Sequence, residues 1–72
     1  MPLTQDDAQD AGYRAWAEND PGQWTAAVQA AKAAGFDAAV LSHQAAVLDG
    51  VADRCVISRT HATFWRAVLT QP

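Results

Sequence analysis

The sequence predicts an all-α domain, a small compact bundle of three to four short helices formed by residues 1–72. Asp20 and Pro21 are suited to begin a helix, because an acidic cap accepts a hydrogen bond from a free backbone N–H and proline has no N–H to leave unpaired. Gly35 is suited to end it, because a glycine just past the last turn adopts the left-handed conformation of a helix end. Between them runs an alanine-rich stretch whose apolar residues recur three and four apart. Three tryptophans must supply much of the packing, because alanine buries little apolar area.

The first helix is predicted to begin at Thr4, with Asp7 completing a capping box, and to end near Glu18. Gly12 weakens a helix by about 1 kcal/mol relative to alanine, so we expect it to admit another backbone at close range. The apolar side chains that follow helical spacing, and so should face the core, are Ala8, Ala11, Ala15 and Trp16.

The second helix follows the Asp20 cap, and its inward stripe is predicted to include Trp24, Ala27, Val28, Ala31 and Ala34. The third helix is predicted over residues 38–48, with Asp37 as its cap and Asp49-Gly50 as its end. Its inward residues should be Val40, Leu41, Ala45, Val47 and Leu48. An alternative for this region is a short strand over residues 36–41 that precedes a helix from Ser42.

The last segment, residues 53–69, is also predicted to be mostly helical. Ile57, His61, Phe64, Trp65 and Val68 follow helical spacing, and no Gly, Asn or Pro stands between Gly50 and Pro72 to turn a hairpin. The alternative is a short β-hairpin, because residues 55–58 and 60–63 include several β-prone types.

Charge is distributed unevenly along the chain, whose net charge is −3. Residues 1–20 contain five acidic residues and one basic residue, Arg14. Beyond Asp53 all charged residues are basic: Arg54, Arg59 and Arg66. We expect the basic C-terminal segment to lie against the acidic N-terminal helix; an anionic partner on the arginine face is the alternative.

No set of residues predicts catalysis, a metal site or a cofactor. Cys55 and His61 are poorly aligned on a helix, and the sequence has neither C-x-x-C nor H-x-x-x-H. Cys55 is interpreted as a small buried hydrophobe, His61 as a core or boundary residue and His43 as solvated. The four glycines form no phosphate-binding loop. The chain is therefore predicted not to be an enzyme.

Cytoplasmic localisation is the expectation, with no membrane association. A single cysteine cannot form an internal disulfide, which fits a reducing compartment. The N-terminal residues are acidic without the apolar region of a signal peptide, and no apolar run approaches the roughly 20 residues of a membrane span.

Two resemblances offer alternative functions. The spacing of Ala31, Gly35 and Leu41 resembles a helix-turn-helix, which implies a small DNA-binding regulator, although a net negative charge disfavours binding to phosphates. The segments 19–21 and 33–37 resemble parts of the helical leader peptides of ribosomally made peptide precursors. That resemblance implies a precursor or leader peptide recognised by a modifying enzyme, with the residues from Cys55 onward as the substrate.

The function predicted from composition is a non-catalytic protein-interaction module, a small adaptor or inhibitor that binds a larger protein or forms a homodimer. Tryptophan and arginine commonly anchor interfaces, and so small a bundle is not expected to bury all three tryptophans completely. Phe64 and Trp65 are adjacent and point about 100° apart, so one of these two rings is predicted to be exposed. The predicted partner-binding residues are Arg59, Phe64, Trp65 and Arg66; the acidic face Asp6, Asp7 and Asp10 is the alternative.

Overall fold

A computed structural model of the chain describes residues 2–51 and 56–71, with only the backbone of Val56. It is a compact all-α globule of four helices: α1, Gln5–Ala17; α2, Pro21–Ala33; α3, Ala38–Gly50; and α4, Val56–Thr70. The described residues form no strand, so the strand alternative at residues 36–41 and the hairpin alternative for the last segment are both wrong. The interpretation of Cys55 concerns a residue outside the described ranges.

The helix starts follow the predicted caps. Thr4 Oγ1 accepts a hydrogen bond from Asp7 N at 3.1 Å, and Asp20 Oδ1 accepts one from Gln23 N at 3.1 Å. Asp37 Oδ1 accepts two, from Ala39 N at 2.8 Å and Val40 N at 3.2 Å. Between α2 and α3, Gly35 has a φ of 75°, the left-handed conformation that glycine adopts without a steric cost. These local signals fix where α1, α2 and α3 begin.

α4 is the central helix of the bundle. It packs against α1, α2 and α3, and α1 also packs against α2, whereas α2 and α3 do not pack directly on each other. These neighbours therefore cover more than one face of α4. Its residues in the hydrophobic core are Ala62, Phe64, Trp65 and Val68.

Phe64 and Trp65 are both buried, with 0% and 1% of their surface exposed. Phe64 lies edge-on to Trp24 at 5.6 Å between ring centroids, and Trp65 lies edge-on to Phe36 at 5.9 Å. Trp65 Nε1 donates a hydrogen bond of 2.8 Å to Gln9 Oε1, which satisfies the buried indole. The prediction that one of these two rings is exposed is therefore wrong, because neighbours cover both directions in which they point.

Several predictions about inward faces are also corrected. Val40 and Val47 are exposed, because α3 packs through Leu41 and Ala45 on α4, its single helical neighbour in the described structure. Ala11, Trp16 and Ala34 are exposed as well, while Trp24 and Ala27 are half-buried and Ala8, Ala15, Val28 and Ala31 are buried as predicted.

Asp49 and Gly50 lie inside α3, and Val51 is its C-cap.

The basic C-terminal segment was expected to lie against the acidic N-terminal helix, and the charged side chains follow this expectation only in part. α4 does pack on the acidic α1, but Arg66 forms a salt bridge with Asp49 of α3. None of the helices formed by the described residues combines the length and the apolar character needed to cross a bilayer.

Candidate functional site

Trp16 is the large aromatic side chain that the fold leaves in water, with half of its surface exposed. It lies in the last turn of α1, next to the chain reversal that leads into α2. Neighbouring helices cover the buried side of α1 at Ala8, Gly12 and Ala15, and Trp16 points beyond this strip. An exposed indole is unusual, because burying one contributes more than burying any other side chain of this sequence.

An open groove of about 390 Å³ lies beside Trp16, and we call it the tryptophan groove. Its walls come from the end of α1, the start of α2 and the outer side of α4. A smaller cavity of about 190 Å³ shares Trp16, Trp24 and Thr63 with it and extends to Arg59 and Thr60. The residues that line the groove itself are Ala15, Trp16, Asn19, Asp20, Pro21, Trp24 and Thr63.

The walls of the groove are held by the core and by backbone hydrogen bonds. Trp24 packs edge-on against the fully buried Phe64. In the turn, Asn19 N donates to Trp16 O and Asp20 N donates to Ala15 O, both at 3.0 Å. Asn19 adopts a left-handed conformation with φ 53°, which asparagine tolerates better than most residues. The groove is thus formed before anything binds to it.

On its other side Trp16 belongs to an aromatic row that crosses from α1 to α4. Tyr13 lies 5.9 Å from Trp16 and 5.7 Å from His61 between ring centroids. Partial burial lowers the pKa of His61 below its ordinary value of 6.5, and the nearby Asp10 carboxylate opposes this shift. The neutral imidazole is therefore favoured in the folded chain, and an uncharged row of rings supports the exposed indole.

The structure separates the four residues predicted to bind a partner. Arg59 and Arg66 are exposed while Phe64 and Trp65 are in the core, so the four form no shared surface. Arg59 lines the cavity next to the tryptophan groove, whereas Arg66 pairs with Asp49 on α3. The alternative acidic face is exposed on α1 at Asp6, Asp7 and Asp10.

Sequence reasoning assigned Trp16 and Trp24 to the core and therefore missed the groove. One available signal was the position of Trp16 in the sequence, four residues before the Asp20 cap. An apolar residue in the last turn before a reversal often lacks a helix to cover it. Trp24 offered no such signal, because its spacing fits the buried stripe of α2 and its half-burial depends on where α4 lies.

The described residues bring no three His, Asp or Glu side chains close enough to hold a metal ion. The two alternative functions stay predictions. A helix-turn-helix has two consecutive helices packed at a large angle, whereas α4 rather than α2 packs on α3. The tail proposed as the substrate of a modifying enzyme contributes Phe64, Trp65 and Val68 to the core.

No family model, no curated protein and no solved structure matches the chain. The residues of the groove are therefore the basis for the functional argument.

Proposed function

We propose that the chain is a non-catalytic protein-interaction module, a small cytoplasmic adaptor or inhibitor that binds a larger protein through the tryptophan groove. The occupant is a short apolar segment of the partner that carries an acidic residue. The half-exposed Trp16 beside an open groove is the observation that carries the proposal.

The exposed half of Trp16 can supply much of the binding free energy. A tryptophan buries roughly 200 Å², so covering half of one removes about 100 Å² from water and contributes roughly 2–3 kcal/mol. That is the size of an interface hot spot, and tryptophan is among the residues that most often form one. Trp24 and Pro21 add further apolar wall beside it.

The chemistry of the partner follows from the groove and its rim. Apolar side chains suit the two indoles and the proline, because they replace water without leaving polar groups unpaired. Arg59 lines the adjoining cavity, and a guanidinium has five N–H donors, so Arg59 can donate to a carboxylate of the partner in addition to its contacts within the chain. Because backbone hydrogen bonds and core packing already hold the walls, little ordering free energy is lost on binding.

The test is selection of binding peptides from a random displayed library, followed by titration of dye-labelled copies of the selected peptides with fluorescence anisotropy as the signal. Three variants are compared with the wild type: Trp16→Ala in the groove, Arg59→Gln at its rim, and Val47→Ala as a matched exposed apolar site on α3. We expect enriched peptides to combine apolar residues with an acid. Trp16→Ala should weaken binding about 30- to 150-fold, as expected for the loss of 2–3 kcal/mol.

Arg59→Gln should weaken binding a few-fold and flatten its salt dependence, while Val47→Ala should bind like the wild type. Peptides that bind Trp16→Ala as tightly as the wild type would show that the groove is not the binding surface. Failure to enrich any peptide contradicts the choice of a short segment as the occupant. Trp65→Ala is unsuitable as a probe, because a buried indole tests folding and not binding.

A further inference from the structure

α3 carries a second exposed apolar surface, and none of its residues lines the tryptophan groove. Val40, Val47 and Val51 expose 48%, 51% and 43% of their surface, and the half-buried Gln44 lies between them. Positions 40, 44 and 47 of α3 and its C-cap residue 51 are four, three and four residues apart, so they lie along one side of the helix. We call these four residues the valine stripe.

Apolar residues at this spacing form the contact seam of a coiled coil. The intervals of four, three and four residues are the same in either direction along the helix. If two α3 helices lie antiparallel about a two-fold axis between residues 45 and 46, Val40 of one copy faces Val51 of the other. In the same register Gln44 faces Val47, so each of the four layers contains a valine. The surface is therefore complementary to itself, as a two-fold symmetric interface requires.

The charge distribution also favours a second copy as the occupant. The only acid in α3 is Asp49, which is turned about 200° around the helix from Val47 and pairs with Arg66. Two copies that approach through α3 therefore bring no acids together, whereas an approach through α1 opposes Asp6, Asp7 and Asp10 to themselves. A charged partner would lose hydration at the stripe without gaining an opposite charge.

The area available limits the strength of this contact. α3 has 13 residues and is about 20 Å long, so a strip one helix wide buries on the order of 300 Å² per copy. Stable interfaces bury about 800 Å² per partner, and smaller ones are weak and transient. We propose that the valine stripe forms a weak antiparallel homodimer, with a dissociation constant on the order of 0.1–1 mM.

Sedimentation equilibrium of the whole chain between about 20 µM and 2 mM tests this proposal independently of groove binding. The wild-type average mass should rise with concentration toward that of two chains. Val47→Glu places two carboxylates close to the two-fold axis and should raise the dissociation constant at least 10-fold. Ile57→Glu, at a similarly exposed β-branched residue on α4, should associate like the wild type. Circular dichroism confirms that each variant is folded.

A pair of double variants tests the antiparallel register. Val40→Glu/Val51→Lys places opposite charges face to face in the antiparallel dimer but like charges face to face in a parallel one. We expect it to associate at least 10-fold more tightly than Val40→Glu/Val51→Glu. Equal association of the two double variants overturns the register. A wild-type chain that stays monomeric at 2 mM, or a Val47→Glu variant that associates like Ile57→Glu, overturns the dimer.

Discussion

Gly12 lies against the face of Phe64 where α1 packs on α4. A methyl group at this position would lie 2.7 Å from Phe64 Cγ and closer still to Cδ1, well inside van der Waals contact. Phe64 cannot retreat easily, because it is fully buried and the rings of Trp24 and Trp65 pack against it. The glycine predicted to admit a neighbouring backbone instead admits an aromatic ring.

We predict that Gly12→Ala lowers the free energy of unfolding by about 1–3 kcal/mol, the usual cost of overpacking a core. This loss should appear although alanine favours a helix by about 1 kcal/mol over glycine. Gly50→Ala is the matched control, because no described residue lies within 4 Å of a methyl group there, and it should be neutral or slightly stabilising. Urea denaturation measures both, and equal effects of the two variants would contradict the overlap with Phe64.

His61 gives the fold a dependence on pH. Its pKa is lowered in the folded chain, chiefly by burial, so the unfolded chain binds a proton more readily. The resulting contribution to stability is complete above the ordinary pKa of 6.5 and declines as the pH falls through 6.5 toward the lowered value.

We therefore predict that the stability of the wild type declines between pH 7.5 and 5.5 more steeply than that of His61→Gln, which cannot take up this proton. Urea denaturation at several pH values measures the two slopes. Identical slopes would show that the environment of His61 does not disfavour its charged form.

At the scale of the element, α3 has the N-cap with the most side-chain hydrogen bonds among the described caps of α1, α2 and α3. In the described structure it packs on α4 alone, and Asp37 is the one cap here whose side chain accepts two backbone hydrogen bonds. The link from α2 to this cap is only three residues long and uses the left-handed Gly35. The cap thus sets where α3 begins relative to the end of α2.

We predict that Asp37→Ala lowers the free energy of unfolding by about 1 kcal/mol, within the range of 0.5–2 found for N-caps. Asp37→Asn should retain most of the stability, because its side-chain oxygen can accept the same hydrogen bonds. Thermal denaturation compares the three chains. A loss in Asp37→Asn as large as in Asp37→Ala would assign the effect to charge at the helix end and not to hydrogen bonding.

At the scale of the whole molecule, stability depends on a few rings around α4. A 72-residue chain has a core worth only roughly 3–5 kcal/mol, and alanine supplies little of it. Trp65 contacts the rings of Phe36 and Phe64 and donates a hydrogen bond to Gln9. The removal of this one side chain therefore affects contacts with α1, the link before α3 and α4 itself.

We predict that Trp65→Ala costs about 3–5 kcal/mol and leaves the chain largely unfolded. Trp16→Ala, at the half-exposed indole, should cost no more than about 1 kcal/mol and keep the fold. Far-ultraviolet circular dichroism and thermal denaturation distinguish the two. Comparable losses in both variants would show that Trp16 is part of the core and not a surface available to a partner.

The sequence by itself favoured an all-α chain and indicated the caps of α1, α2 and α3, because these signals are local. Each signal influences the backbone within a few residues of itself. Examples are the cap Asp37 at a helix start, Gly35 at a helix end and the helical spacing of apolar residues around Phe64. For the last segment the spacing favoured a helix, but its β-prone residues left a hairpin open, and the structure shows the helix.

Only the tertiary structure decided which aromatic side chains are left in water. Spacing shows that an apolar residue lies on a certain side of its helix, but burial requires another helix on that side. Because α4 is central, Phe64 and Trp65 are enclosed, while half of the Trp16 surface in the last turn of α1 stays exposed and Val47 is exposed on α3. The candidate binding surfaces thus depend on how the helices pack, which is a property of the whole chain and not of any short segment.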